Sequence, residues 1–138
     1  MQIYASCAAR EGHGVLLLGP SGVGKSDLLL RLLDRGFALV ADDQVCVENG
    51  FANAPATLAG LLEVRGLGIV RLPFVPRARL VLAVELATAL RMPSPAQHFG
   101  TGLPLIQVDP AQCSAPTRVA LALDCVLGRT DQIAGAFT

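Results

Sequence analysis

Residues 15–26 read VLLLGPSGVGKS, an unbroken apolar run followed at once by a loop rich in glycine. Four consecutive apolar residues, Val15 to Leu18, predict a short strand that is buried on both faces. The residues from Gly19 to Ser26 fit the pattern G-x-x-x-x-G-K-[ST] in full, the phosphate-binding loop found between a strand and a helix. The helix follows, since residues 25–35 place four leucines on one side of a helical pattern.

This loop pattern predicts a specific kind of ligand. Its backbone N–H groups point at phosphate oxygens, its glycines permit the required dihedral angles, and the helix N-terminus favours an anion. The ammonium of Lys25, which is the only lysine in the chain, can reach the β- and γ-phosphates, and the Ser26 hydroxyl can bind magnesium. We therefore predict that ATP and Mg²⁺ are bound here, by Gly19, Ser21, Gly22, Val23, Gly24, Lys25 and Ser26.

Composition limits the remaining possibilities. A chain of 138 residues with 52% apolar and 16% charged residues predicts one folded domain and excludes a disordered chain. The 11 basic residues balance the 11 acidic ones, which argues against a surface that binds nucleic acid or a membrane. No apolar run is long enough for a membrane span and no secretion signal is visible, so a cytoplasmic protein is expected. The four cysteines lack zinc spacing and are expected to be reduced and mostly buried.

We predict an α/β fold, a single domain over residues 1–138 with a P-loop kinase-like central sheet and flanking helices. Asn49-Gly50 indicates a hairpin turn, and residues 91–102 are expected to form a surface loop. Further strands are predicted over residues 2–9, 37–41, 79–86 and 105–108, and a last helix over residues 116–127. Within residues 61–70 we predict a strand that ends near a turn marked by glycine.

Two adjacent carboxylates, Asp42 and Asp43, end a predicted strand. Strand ends on the phosphate side of an α/β sheet line the active crevice, where two carboxylates could serve as metal partner and proton acceptor. A solvated acidic turn is the alternative. Glu63 and Arg65 alternate along a predicted strand and would share a face, either as a salt bridge or as a magnesium partner beside a phosphate clamp. His13, flanked by glycines, is either a site residue or a structural histidine.

Three segments together resemble the HPr kinase/phosphorylase family. They are residues 13–26 with the phosphate loop, residues 35–43 ending in Asp42 and Asp43, and residues 62–69, which read LEVRGLGI and are similar to that family's own signature. The resemblance is strong over residues 13–70 and weaker beyond, and it corresponds to the catalytic domain without the extra N-terminal domain of full-length members.

The resemblance implies a serine kinase that acts on HPr, the small phosphocarrier of the sugar phosphotransferase system. It implies that Asp43 is the general base, that His13 orients this carboxylate, and that Arg65 stabilises the transferred charge. The metal would be held by Ser26, Asp42 and Glu63. Many members also run the reverse reaction with inorganic phosphate as acceptor, which yields pyrophosphate, and the family assembles into oligomers, so a homo-oligomer is compatible with this interpretation.

One segment departs from the family pattern. Residues 71–77 are short compared with the mobile loop usually found there, and Arg77 and Arg79 are the nearby substitutes for its charge. We therefore expect kinase activity with weak phosphorolysis, while the role of Arg118 stays open. Two alternatives remain at this point: a nucleotide-sensing module with little catalysis, and a P-loop kinase of a small molecule.

Overall fold

The computed structural model describes residues 1–138, which form ten β-strands, two α-helices and one short 3-10 helix, Ala56–Leu58. The strands are β1 (Gln2–Ile3), β2 (Ser6–Arg10), β3 (His13–Leu18), β4 (Ala38–Ala41), β5 (Val45–Glu48), β6 (Phe51–Asn53), β7 (Leu61–Val64), β8 (Gly68–Arg71), β9 (Ala78–Leu86) and β10 (Leu105–Val108). The helices are α1 (Lys25–Leu33) and α2 (Ala115–Val126), and the predicted single α/β domain is confirmed.

Eight strands form one mixed sheet. Seven of them follow the order β1-β5-β6-β9-β3-β2-β4, and the eighth, β10, also pairs with β9. Only the β3–β9 and β9–β10 pairs are parallel, and all other neighbours in this sheet are antiparallel. Because β3 and β4 both run antiparallel to β2, they point in the same direction. Their carboxyl ends therefore lie at one edge of the sheet, which we call the loop edge.

Strand β3 is buried on both faces, as its apolar run predicted. Val15 and Leu17 belong to one apolar cluster, while Leu16 between them belongs to a second cluster on the other face. The first cluster contains the buried side of both helices, including Leu28 of α1 and Leu123 of α2, so both helices pack on the same face of the sheet. The second cluster contains Val45, Val47 and Ala52 of the β5–β6 hairpin and no residue of either helix.

Helix α1 begins directly at the phosphate loop and ends two residues earlier than residues 25–35 predicted. Asp34 is the C-cap of the helix, and Gly36 then turns the chain with φ of 86°. The amide of Phe37 donates to the carbonyl of Leu32 at 3.2 Å, which closes the helix end as the glycine suggested. The apolar side of the helix, which includes Leu28, Leu29 and Leu32, is fully buried.

Both turns marked by glycine are present. The hairpin at Asn49 and Gly50 is confirmed, with φ of 53° and 80° at these residues, the left-handed pair that a tight β-hairpin requires. The strand predicted from residue 61 ends at Val64, before the turn of residues 65–67, and the return strand β8 was not predicted. Gly66, with φ of 86°, makes this turn possible, and β7 with β8 forms a separate two-stranded sheet.

No helix is long and apolar enough to cross a membrane. All four cysteines are free. The expectation that most are buried is wrong: Cys7 is buried, Cys46 and Cys125 are half-buried, and Cys113 is exposed. Cys113 is exposed because it lies in the turn that precedes α2, outside both apolar clusters.

Candidate active site

The phosphate loop connects β3 to α1 at the loop edge. Gly24 precedes the helix with φ of 114°, a left-handed conformation that side chains rarely adopt, and no side chain caps the helix N-terminus. The first amides of α1 are therefore free to bind an anion. At the other end of the loop, a side chain at Gly19 would place its Cβ 2.8 Å from Cγ1 of Val23, so only glycine fits there.

Lys25 is held inside this loop. Its side chain is buried, and Nζ donates to the carbonyl oxygens of Gly19 at 2.7 Å and Pro20 at 3.2 Å. No carboxylate lies within ion-pair distance of the ammonium. The loop therefore holds an uncompensated positive charge, which favours an anionic ligand.

Asp42 lies just past the end of β4 and accepts three hydrogen bonds. Its Oδ1 accepts from the hydroxyls of Ser26 at 2.7 Å and Ser6 at 2.8 Å, while Oδ2 accepts from the backbone amide of Glu63 at 3.2 Å. The residue is only 8% exposed, and these donors compensate the burial of its charge. The structure thus brings the phosphate loop, β2, β4 and β7 together around one carboxylate.

Asp43 has a different environment from its neighbour. It is exposed and has φ of 68°, an uncommon conformation for a residue other than glycine. A hydrogen bond of 2.8 Å from the amide of Gln44 to the carbonyl of Asp42 closes this turn. The Asp43 carboxylate is exposed and forms no ion pair.

Glu63 and Arg65 do not share a strand face, so that prediction is wrong. Strand β7 ends at Val64, and Arg65 lies in the turn that leads to β8. Both side chains are exposed, and they form no salt bridge with each other. The amide of Glu63 anchors β7 to Asp42, so this short sheet flanks the carboxylate pair.

His13 lies at the far edge of the sheet from the carboxylates. In the β2–β3 pair it faces Arg10, while Leu17, at the other end of β3, faces Ser6 beside Asp42. Four residues of extended strand, on the order of 13 Å, separate these two positions. The expected contact of His13 with Asp43 is therefore wrong. The ring nitrogen Nδ1 of His13 is buried without a hydrogen-bond partner.

The predicted magnesium ligands fit that ion in chemical type. Mg²⁺ prefers oxygen ligands, and it is usually held by one or two carboxylates together with substrate phosphates and water. The Ser26 hydroxyl and the Asp42 carboxylate supply protein oxygens beside the phosphate loop. Two protein oxygens beside a phosphate loop fit a cation that is bound together with a nucleotide.

The arginines of uncertain role lie elsewhere. Arg77 and Arg79 both lie over the ring of Phe51, at 3.9 and 5.4 Å from its centre, and Arg79 is paired with His13 on the neighbouring strand. They therefore cluster at the far edge rather than at the phosphate loop. Arg118 lies on α2 and donates from Nε to the hydroxyl of Ser114, the residue before that helix.

Sequence reasoning missed Ser6, the second hydroxyl on Asp42. It stands in the run Ala5-Ser6-Cys7-Ala8-Ala9, where small residues give no chemical pattern. The signal that could have found it is its burial, since a fully buried hydroxyl normally has a specific hydrogen-bond partner.

The chain is similar to proteins of known family. Residues 2–81 match the family described as HPr Serine kinase C-terminal domain. The HPr kinase/phosphorylase of Clostridium tetani is 46% identical over 78 residues, which cover 54% of this chain and 26% of the relative. The HPr kinase/phosphorylase of Bordetella avium is 37% identical over 130 residues, which cover 86% of this chain and 40% of the relative. The chain thus spans less than half the length of these two curated relatives.

A solved structure matches nearly the whole chain. The Hpr(Ser) kinase/phosphatase from Coxiella burnetii superposes with a TM-score of 0.74 and 25% sequence identity, and the match covers 94% of this chain and 92% of that one. The similarity therefore extends beyond the residues that carry the phosphate loop.

Proposed function

The chain belongs to the family of HPr serine kinase C-terminal domains, and we propose that it transfers the γ-phosphoryl group of ATP to a seryl hydroxyl of an HPr-like phosphocarrier. One observation carries this proposal. The buried carboxylate of Asp42 is hydrogen-bonded to Ser26 of the phosphate loop, while the adjacent Asp43 carboxylate is exposed and unpaired.

The site residues have separate roles in binding the nucleotide and in transferring its phosphoryl group. The loop amides and the Lys25 ammonium bind the β- and γ-phosphates, and Ser26 with Asp42 would hold magnesium, which lowers the charge repulsion between phosphates. Asp43 accepts the proton of the acceptor serine. The seryl oxygen then forms a bond to the γ-phosphorus as the bond to the β,γ-bridging oxygen breaks, and ADP leaves.

Two further residues have proposed roles on the β7–β8 hairpin. We propose that the Glu63 side chain contributes to the magnesium shell and that Arg65 stabilises the charge on the transferred group. Both side chains are exposed next to the segment that binds Asp42 through the Glu63 amide. These two assignments stay predictions, as do the cytoplasmic location and the homo-oligomer.

The exposed Asp43 favours an enzyme over a nucleotide sensor. A sensor needs the phosphate loop but has no use for an unpaired carboxylate in a left-handed turn. The third candidate, a kinase of a small molecule, would use the same site and differs only in its acceptor. Identification of the acceptor therefore decides between the protein kinase and the small-molecule kinase.

The test is a transfer assay with γ-labelled ATP, magnesium and a purified HPr-like phosphocarrier. The expected result is label on a single serine of the phosphocarrier, located by mass spectrometry. A variant of the phosphocarrier with that serine replaced by alanine is the matched control and should stay unlabelled. Hydrolysis of ATP with no label on the protein would contradict the proposal.

The reverse reaction is a second candidate activity, since relatives carry the name HPr kinase/phosphorylase. In that direction, inorganic phosphate would take the phosphoryl group from phosphoserine and form pyrophosphate. We propose that this reaction is weak here, because only six residues, 72–77, connect β8 to β9. Seryl-phosphorylated acceptor with millimolar phosphate and magnesium should release little pyrophosphate, and release at the forward rate would contradict this.

A further inference from the structure

Ser6 is the first residue of β2 and is fully buried. The chain buries three polar or charged residues, Ser6, Lys25 and Asp42, and all three lie at the loop edge. A hydroxyl with no exposure must find its hydrogen bonds inside the protein. The partners of Ser6 are the two adjacent aspartates, so its burial is tied to the candidate active site.

The Ser6 hydroxyl donates a hydrogen bond to one aspartate and accepts a hydrogen bond from the other. A carboxylate only accepts hydrogen bonds, so the single hydroxyl proton of Ser6 goes to Oδ1 of Asp42, at 2.8 Å. The oxygen keeps its lone pairs and accepts the backbone amide of Asp43 at 3.4 Å. The same Oδ1 also accepts the Ser26 hydroxyl, so two hydroxyl donors from different elements fix the orientation of the Asp42 carboxylate.

The hydrogen bond from the Asp43 amide to Ser6 stabilises an uncommon backbone conformation. Asp43 has φ of 68°, and such conformations persist only where neighbouring groups hold them. The hydrogen bond from its amide to Ser6 ties this turn to the buried start of β2. One hydroxyl thus contacts both the Asp42 carboxylate and the backbone of Asp43.

We propose that Ser6 is a positioning residue of this site, orienting Asp42 toward magnesium-bound nucleotide and holding the turn that presents Asp43. The proposal rests on the proposed function, since it assumes that the site binds magnesium with ATP. Ser6 acts through the two aspartates and touches neither nucleotide nor acceptor. Such outer hydrogen bonds around metal ligands typically change metal affinity by about 10- to 100-fold when removed.

The test compares binding of a non-hydrolysable ATP analogue to the full chain with magnesium and with EDTA, by calorimetry. We expect Ser6→Ala to weaken binding about tenfold in magnesium and to leave binding in EDTA unchanged. Ser6→Thr, which keeps the hydroxyl, should restore most of the magnesium effect. Ser114→Ala is the matched control, because that serine also makes a side-chain hydrogen bond, to Arg118, but bonds to neither aspartate.

A double variant separates positioning from general damage to the fold. If Ser6 acts through Asp42, then Ser6→Ala should cause no further loss of magnesium-dependent binding in the Asp42→Asn background. Equal weakening with magnesium and with EDTA, or unchanged binding in magnesium, would overturn the positioning role. Absence of any nucleotide binding by the wild-type chain would instead overturn the proposed function, and the inference with it.

Discussion

The hydroxyl Oγ of Ser26 lies 2.7 Å from Oδ1 of Asp42, which joins the first turn of α1 to the end of β4. The two residues are 16 positions apart in the chain, and they meet because β3 and β4 run in the same direction in the sheet. This contact places a hydroxyl and a carboxylate, both suitable for magnesium, beside a loop that binds phosphate.

The first prediction concerns the ammonium in the loop. Lys25→Ala should weaken binding of magnesium-ATP by about tenfold or more, since losing a charged hydrogen bond costs about 1.5–3 kcal/mol. Lys25→Arg keeps the charge, but a guanidinium fork does not replace a compact ammonium among the loop carbonyls, so binding should be weakened as well. Calorimetry measures both, and an affinity of Lys25→Ala equal to that of wild type would refute the phosphate-loop assignment.

The second prediction uses the absence of other lysines. Apart from the N-terminal amine, Lys25 is the only primary amine in the chain, so an amine-reactive reagent gives a clear signal. Saturating ATP should slow labelling of Lys25, because the ammonium would then contact phosphates. The N-terminal amine is an internal control whose labelling should not change. Mass spectrometry measures the labelling of each amine. Equal labelling of Lys25 with and without ATP would argue against the contact between its ammonium and the phosphates.

The third prediction follows from the position of His13. Because this residue lies at the far edge of the sheet, His13→Ala should leave the rate of phosphoryl transfer within about twofold of wild type, well short of the 100-fold scale of losing an acid–base group. Unfolding should be measured in parallel to account for any loss of packing. A drop in the transfer rate of two orders of magnitude at unchanged stability would show that the histidine takes part in catalysis after all.

Features of the structure could be predicted from the sequence where a function or a turn requires particular residue types at set positions. The phosphate loop needs glycine, lysine and serine at set positions, and the hairpin at Asn49 and Gly50 needs left-handed residues, so both could be predicted. His13 was assigned to the site although it precedes the predicted strand, and a residue before that strand lies at its amino end, opposite the loop and the aspartates that follow β4. Ser6 was missed because a serine among small residues gains its role only from strand pairing.

The β7–β8 hairpin illustrates a different limit. Apolar and charged residues alternate through Glu63, Val64 and Arg65, which fits one continuous strand. Gly66 allows the chain to reverse there instead, and the two short strands pair with each other. Periodicity alone does not distinguish a long strand from two short ones joined by a three-residue turn.

The fourth prediction concerns Cys7 and alkaline pH. Burial raises the pKa of its thiol from 9.0 to about 12, against a smaller lowering by a backbone hydrogen bond from Val15. The unfolded thiol ionises first, so this stabilising contribution is complete below pH 9 and is lost as the pH rises towards 12. The free energy of unfolding should therefore fall more steeply above pH 9 in wild type than in Cys7→Ala. Parallel curves from denaturant titrations would refute this.

The fifth prediction separates the two aspartates. Asp42→Asn should raise the magnesium concentration needed for nucleotide binding, because the buried carboxylate beside Ser26 loses its charge. Asp43→Asn should leave magnesium-dependent binding nearly intact, because that side chain is exposed and bonds to no loop residue. Calorimetry at several magnesium concentrations checks this, and identical behaviour of the two variants would contradict the division of roles.

The most direct measurement is single-turnover transfer of γ-labelled phosphate to an HPr-like phosphocarrier by wild type and by Asp43→Asn, each saturated with magnesium-ATP. Wild type should label one serine, and Asp43→Asn should do so at a rate lower by a factor of about 100 or more, the scale of losing a general base. Transfer by Asp43→Asn at the wild-type rate would contradict the assignment of Asp43 as the base, and absence of transfer by wild type would contradict the kinase itself.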